Sequence, residues 1–244
     1  MYRDFAYVYD ELMKDVDYDA WVDFIEKVFQ TYQVRPERIV DLACGTGNIT
    51  SRLASRGYML TGVDISNEML GIAREKSRKQ GLFLQYINQD IRELQLHGLV
   101  DVIVCMCDGV NYILDDTDLK QVFERVYQYL RPGGLFLFDI SSHYKLSEIL
   151  ANNLMAETEG DVNLVWFNNF DEKTNILQMD LTFFVRQGDL FKRFYETHFQ
   201  RAYKNNEIIA LLRQVGFNID KVCADFSLDP PSKDSERIFF CSVK

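Results

Sequence analysis

Apolar runs alternating with amphipathic stretches from Arg38 to Ile140 predict an α/β fold with a doubly wound, mostly parallel, seven-stranded sheet. Two further observations shape that prediction. Between Asp161 and Tyr203 the alternation stops and ten aromatic residues fall within 43 positions, which predicts an antiparallel β subdomain inserted after the fifth strand. The α/β pattern then resumes over residues 207–243, so the core closes after the insertion.

Taken in order, Trp21, Phe24, Ile25, Val28, Phe29 and Tyr32 recur at steps of three and four and predict an amphipathic helix over 18–33. Ahead of it Tyr2, Phe5 and Tyr9 form an aromatic arm, either a lid or a packing element. Strands are expected at 38–43, 58–64, 82–90, 101–108 and 133–140. Helices are expected at 48–56, 68–79 and 118–130, and Arg131-Pro132-Gly133-Gly134 reads as a turn. Met179, Leu181, Phe183 and Val185 alternate with Gln178, Asp180, Thr182 and Phe184, the period of a strand with one buried face. A helix over 207–214 and strands at 217–224 and 237–243 finish the chain. The organisation expected is an N-terminal arm over 1–36, a core from 37–150 and 204–244, and the insertion over 151–203.

The 244 residues carry 27 Lys plus Arg against 37 Asp plus Glu, a net charge of −10, and 47% are apolar. This composition suits a packed globule and disfavours sequence-blind nucleic-acid binding. No run approaches 18 apolar residues, and the first ten residues carry acids where a signal peptide is basic, so no membrane and a cytoplasmic location are expected. Cys44, Cys105, Cys107, Cys223 and Cys241 lack paired spacing and have three His for company, so they read as reduced thiols, with no metal site. Cys105 and Cys107 are expected on one strand face, pointing into the core.

The segment Asp41-Leu42-Ala43-Cys44-Gly45-Thr46-Gly47-Asn48 runs from a strand through Gly-x-Gly into a helix, and Asp64 ends the second strand. Such glycines permit a tight turn and close ligand approach, and the helix start offers N–H groups to an anion. A dinucleotide fingerprint would place a third glycine where Thr50 stands. Asp41 would repel a pyrophosphate and attract an ammonium or sulfonium ion. A ligand with a cationic amino-acid part and a ribose diol for Asp64 fits this arrangement, and S-adenosylmethionine has both.

DLACGTG (41–47), GVDIS (62–66), NQDI (88–91) and LRPGG (130–134), in this order and spacing, resemble the successive motifs of the class I S-adenosylmethionine-dependent methyltransferases, a Rossmann-like family. The resemblance implies that Asp41 and the backbone of Ala43, Cys44, Gly45 and Gly47 hold the methionine end, and that Asp64 takes the ribose hydroxyls. It implies that Ile65 and Met69 flank the adenine, that Asp90 and Ile91 reach its edge, and that Cys107 or Asp108 borders the sulfonium. The arm resembles that of a bacterial subgroup in which it folds over the cofactor, with Tyr9 and Trp21 as candidates. An aromatic β insertion here also resembles glycine and sarcosine N-methyltransferases, where it caps the acceptor pocket.

Methyl transfer from a sulfonium is an in-line displacement, so the protein mainly aligns the reactants and excludes water. Candidates for catalysis are Asp108, Asn111 and His143, with Tyr112, Tyr144 and His198 as further pocket residues. Asp229-Pro230-Pro231-Ser232 lies too late in the chain for an amine-methylation motif and reads as a turn. The function expected is methylation of a small-molecule acceptor at N or O, with S-adenosylhomocysteine as product and a possible homodimer. The alternatives are an RNA or protein methyltransferase using a basic rim of Arg186, Lys192, Arg193 and Arg201, a nicotinamide oxidoreductase, and a non-catalytic S-adenosylmethionine-binding protein.

Overall fold

The computed structural model describes residues 5–244. Tyr2 of the expected arm lies outside them. Five parallel strands follow the sequence pattern: β1 (Arg38–Leu42), β2 (Met59–Asp64), β3 (Gln85–Asn88), β4 (Val100–Cys105) and β5 (Leu130–Ser141). The chain's last strands, β10 (Asn218–Ala224) and β11 (Arg237–Val243), pair antiparallel, and β11 sits antiparallel against β5. The sheet order is therefore β10-β11-β5-β4-β1-β2-β3. The order reverses direction at β1 and β4, so the crevice above their carboxyl ends is where such sheets hold ligands.

Alternation of side chains divides the central strands between two cores. Ile39, Val102, Val104, Leu135, Leu137 and Phe239 pack under α2 (Tyr18–Thr31) and α3 (Asn48–Ser55). Their neighbours Val40, Ile103, Cys105, Phe136, Phe138 and Phe240 pack under α5 (Asp116–Tyr129) and α6 (Asn205–Val215). On the remaining edge α4 (Asn67–Lys79) covers β2 and β3 through Leu70, Ala73 and Tyr86. Helix starts obey capping chemistry: Asp17 accepts from the Ala20 amide, Ser66 from Met69 and Asp115 from Thr117.

The insertion is a second sheet of four antiparallel strands in sequence order, β6 (Leu154–Glu159), β7 (Val162–Asp171), β8 (Ile176–Gln187) and β9 (Leu190–Arg201). Its inner face, with Val162, Leu164 and Phe183, packs on Phe5, Ala6 and Val8, at or beside the short helix α1 (Ala6–Leu12), and on Met69 of α4. Asn111 fastens this layer to the core sheet. Its amide donates to the carbonyls of Ser141 and Arg201, and its oxygen accepts from the Ser141 N–H.

Two local expectations are corrected. Cys105 ends β4 and is buried in the α5–α6 core, but Cys107 has left the strand and packs on the opposite core. The cause is a pair of left-handed residues, Cys107 (φ 60°) and Asp108 (φ 55°), which turn the chain sharply. Arg131 to Gly134 is likewise no free turn. It lies within β5 as an irregularity in the pairing with β4, and Gly133 and Gly134 exchange backbone bonds with Lys244.

Candidate active site

The side of the crevice at the glycine loop begins with backbone. Gly45 adopts φ +54° with open space where a Cβ would stand. Its N–H donates to Asp64 Oδ2 at 2.8 Å, and the Ser66 N–H donates to Oδ1 at 2.8 Å. Burial raises the Asp64 pKa, and these donors oppose that rise. Both oxygens keep a lone pair, which is what a ribose diol requires. Gly47 (φ +75°) is needed for a second reason: an added Cβ would meet the Tyr86 hydroxyl at 2.6 Å.

Asp41 is buried at the floor of the loop and accepts from Thr50 Oγ1 at 2.6 Å. Burial pushes its pKa up to about 7. The Thr that breaks the dinucleotide fingerprint is thus the carboxylate's hydrogen-bond partner. A buried acid whose hydrogen-bond donors come from Thr50 alone, and with no cation beside it, suits an ammonium, which would pull the pKa back down. Cys44 contributes main chain: its N–H donates to Val63, its carbonyl accepts from Gly47, and its thiol sits in the small cluster with Tyr86. Ala43 also takes a left-handed φ of 53°. Open cradle, buried acid and ribose-ready carboxylate fit S-adenosylmethionine.

Next to Asp64, Ile65 is 60% exposed and lines a cavity of about 350 Å³ with Asn88, Gln89, Asp90, Glu93 and Gln95. Asn88 fixes the Ile65 backbone by donating to its carbonyl at 2.7 Å. Met69 lies elsewhere, buried against α1 and the second sheet. Asp90 is held by Arg92 through Nε and Nη2, and this pairing lowers its pKa. Ile91, the next residue, is buried in the α5–α6 core.

The far side is made of side chains. Asp108 accepts from Gln200 Nε2 of β9 at 2.8 Å and from Arg237 Nη1 of β11 at 3.0 Å. The same guanidinium nitrogen bonds Asp139 of β5, and Asp139 Oδ2 also accepts the Asp108 N–H. Asp139 is fully buried, and burial raises its pKa to about 6 against the opposing pull of Arg237. Trp21 is buried with its ring 4.7 Å from the Arg237 guanidinium. That places Trp21 under the network rather than on the glycine loop.

Helix α1 closes over this crevice. Asp10 takes the Thr46 hydroxyl at 2.7 Å, the Asn48 amide at 3.0 Å and the Lys76 ammonium at 2.7 Å, so one carboxylate ties α1 to the glycine loop and to α4. Tyr9, one residue earlier, is raised in pKa by burial, with Tyr18, Cys107 and Asp108 close enough to add to the rise. His198 on β9 is buried, its Nδ1 3.0 Å from the Tyr112 hydroxyl, and burial lowers its pKa to about 4.

The remaining catalytic candidates are placed apart. Asn111 is fully buried with its amide and its oxygen spent on backbone. His143 faces Asn175 at 3.2 Å and Ser147 at 3.2 Å on the rim beyond β5. Sequence reasoning missed Asp10, Lys76, Asp139, Gln200 and Arg237, and noted Thr50 only as the residue that breaks the dinucleotide fingerprint. Of these only Asp139 carried a signal, a carboxylate inside the apolar run GGLFLFDI, which demands a buried partner. Arg186 and Arg201 of the suggested basic rim are engaged by Asp161 and Asp116. Arg193 stacks on Tyr195.

Comparison with known proteins agrees with this geometry. A family model described as "Methyltransferase domain" matches residues 39–134. YqeM of Bacillus subtilis (strain 168), which carries a methyltransferase name without an acceptor, is 41% identical over all of this chain and 97% of its own. The crystal structure of an S-adenosylmethionine-dependent methyltransferase from Clostridium acetobutylicum ATCC 824 superposes with a TM-score of 0.91 at 40% identity, covering 99% and 98% of the two chains. The sugar N-methyltransferase KedS8 from Streptoalloteichus sp ATCC 53650 shares the fold at a TM-score of 0.81 and 17% identity, over 98% of this chain and 92% of its own. The chain belongs to the class I S-adenosylmethionine-dependent methyltransferases. Among the described residues no group of His, Cys, Asp or Glu is arranged to hold a metal ion, and no helix is long and apolar enough to cross a membrane.

Proposed function

We propose that the protein methylates a small molecule at nitrogen or oxygen, in the space between the end of β4, helix α1 and the inner face of the second sheet. The observation that supports this most is convergence from above. Gln200 reaches Asp108 from the second sheet, while Asp10 fastens α1 to the glycine loop. A reactive centre roofed from two sides admits a small acceptor and excludes water more readily than it admits a folded macromolecule.

In this reading Asp41, Asp64 and the backbone from Ala43 to Gly47 hold S-adenosylmethionine, and Ile65 with Asp90 borders its adenine. The cofactor supplies an electrophilic methyl on a sulfonium. The protein's own task is to bring the acceptor atom in line, at about 3 Å, with water kept out. Asp108 is the orienting acceptor of a hydrogen bond from an amine or hydroxyl, and its geometry is set by Arg237 and Gln200. His198, held neutral by burial, is the candidate to receive a proton. Asn111 and His143 take positioning rather than reacting roles.

The test has two stages. Calorimetric titration with S-adenosylmethionine, S-adenosylhomocysteine and NADH should show the two adenosyl ligands bound and NADH ignored. Release of S-adenosylhomocysteine is then followed over a panel of small amines and alcohols beside tRNA and a protein extract. Turnover on the macromolecules alone would overturn the small-acceptor reading, and failure to bind either adenosyl ligand would overturn the cofactor assignment.

A further inference from the structure

The second sheet carries apolar side chains on both faces. Strand alternation sends Leu164, Phe183 and Phe194 inward to α1 and α4, and sends Phe167, Tyr195 and Phe199 to the opposite face. On that outer face Leu154 is 72% exposed, Tyr195 61%, Phe167 50% and Phe199 38%. Among the described residues none of these four belongs to a hydrophobic core of the chain. An antiparallel sheet that faces water is polar on its outer side, and aromatics gathered there mark a surface that a partner covers.

Size and charge identify that partner as a second copy of this chain. The four strands are 6, 10, 12 and 12 residues long. At about 3.4 Å per residue and 4.8 Å between strands they present roughly 650 Å². Two such faces bury about 1,300 Å², inside the range of specific protein interfaces. The chain has a net charge of −10, so two copies repel over most of their surface. The middle of this face is balanced instead: Asp180 and Arg193 lie on adjacent strands, one paired row to either side of Thr182 and Tyr195. A two-fold axis crossing the strands at that central row turns the Asp180 row of one copy onto the Arg193 row of the other, acid over cation. Arg186, further along the face, is already paired with Asp161. That leaves too little positive charge for a nucleic acid or an anionic membrane.

We infer that the outer face of the second sheet is the contact surface of a symmetric dimer, which buries Leu154, Phe167, Tyr195 and Phe199 and sets Asp180 against the partner subunit's Arg193. The strand that turns Tyr195 and Phe199 outward turns His198 and Gln200 inward, so the dimer also braces the wall from which Gln200 reaches Asp108. Sedimentation velocity of the full chain over roughly 1–100 µM tests this. The wild type is expected at twice the chain mass. Phe167→Asp/Tyr195→Asp is expected at the chain mass, with association weakened at least about a hundredfold. Both side chains are exposed, so the fold should persist, and an unchanged far-UV circular dichroism spectrum checks it. A second series is independent of that variant. Asp180→Arg and Arg193→Asp should each loosen the dimer by like-charge repulsion, and Asp180→Arg/Arg193→Asp should recover most of the loss. A wild type that stays monomeric overturns the inference, and its co-sedimentation with phosphatidylcholine vesicles would assign the face to a membrane surface instead. A dimer that survives Phe167→Asp/Tyr195→Asp overturns it too, by placing the contact elsewhere. Charge reversals that leave association unchanged overturn the pairing of Asp180 with Arg193.

Discussion

The two halves of the crevice are built by different means. The half we propose for the cofactor, at the ends of β1 and β2, uses main-chain N–H groups and two carboxylates drawn together over short stretches of chain: Thr50 and Asp41 are 9 residues apart, Gly45 and Asp64 are 19. The half we propose for the acceptor, at the ends of β4, β5 and β11, uses side chains brought from afar. Asp108 meets Gln200 from 92 residues away and Arg237 from 129. A site made from one βαβ unit is fixed by local geometry, whereas a site made from side chains on separate elements exists only once the whole fold has closed.

The sharpest way to break that contrast is to remove Arg237. Its guanidinium stands between the carboxylates of Asp108 and Asp139, and Asp139 is fully buried. Arg237→Met leaves two acids facing each other without a cation, a change that costs about 3–5 kcal/mol when one partner of a buried pair is lost. Denaturant unfolding should register this loss, and Arg237→Met/Asp139→Asn should recover a large share of it. Equal stability of wild type and the single variant would show that the network carries little energy. An additive double variant would show that the two groups do not interact.

On the half proposed for the cofactor, Asp64→Ala strips the acceptor from the Gly45 and Ser66 amides and, in the proposed reading, from the ribose diol. Losing a charge-assisted bond at a buried site costs about 2–3 kcal/mol, so affinity for S-adenosylhomocysteine should fall roughly a hundredfold by calorimetry. Unfolding stability should move less than in Arg237→Met, because the loop's own backbone bonds persist. If Asp64→Ala binds the adenosyl ligand as wild type does, the ribose assignment falls.

The same division explains what could be read in advance. The gathering of Asp41, Gly45, Gly47 and Asp64 at one loop is legible because a carboxylate at a strand end and glycines in a strand-to-helix turn have a local physical reason. Ile65, the residue after that strand-ending acid, stands exposed at the neighbouring cavity. Met69, four residues on, faces away from that edge into α1 and Phe183 because the second sheet offers it apolar surface, and no local pattern announces where an inserted sheet will land. Asn111 and His143 follow strands, as ligand-binding residues do, yet tertiary hydrogen bonds claim both. Arg237 could not be found, since an arginine opening a last strand looks like any exposed strand-end cation until Asp139 is known to face it.

A pH titration sharpens the comparison at smaller amplitude. The folded pKa of Asp41 is raised above its ordinary 3.8 to about 7, so the folded protein holds a proton there that the unfolded chain has released. This contribution to stability is full below pH 4 and is lost as pH rises through 7. Ligand binding runs the other way: an ammonium beside Asp41 favours the ionised acid, so affinity should climb by up to about tenfold per pH unit between 5 and 7 and then level off. Proton release measured in buffers of different ionisation heat checks the sign. Asp41→Asn should flatten the profile, and an unchanged slope in that variant would assign the titration to another group.

The smallest effect concerns the joint between the halves. Asp10 ties α1 to Thr46, Asn48 and Lys76, and the Asp10 and Lys76 side chains remain about a third and a quarter exposed, so solvent screens the pair. Asp10→Asn keeps the size and one acceptor oxygen but loses the charge that Lys76 meets. A cost of about 0.5–1 kcal/mol follows, small for folding because Phe5, Ala6 and Val8 still pack on the second sheet. If α1 must lift to release the adenosyl ligand, that cost appears as a two- to fivefold faster dissociation of S-adenosylhomocysteine in stopped flow, diminishing with salt. The association rate should change little, because the glycine loop and Asp64 are untouched. Equal dissociation rates at low salt would mean that the ligand leaves without moving α1, and the two halves would then be joined by packing alone.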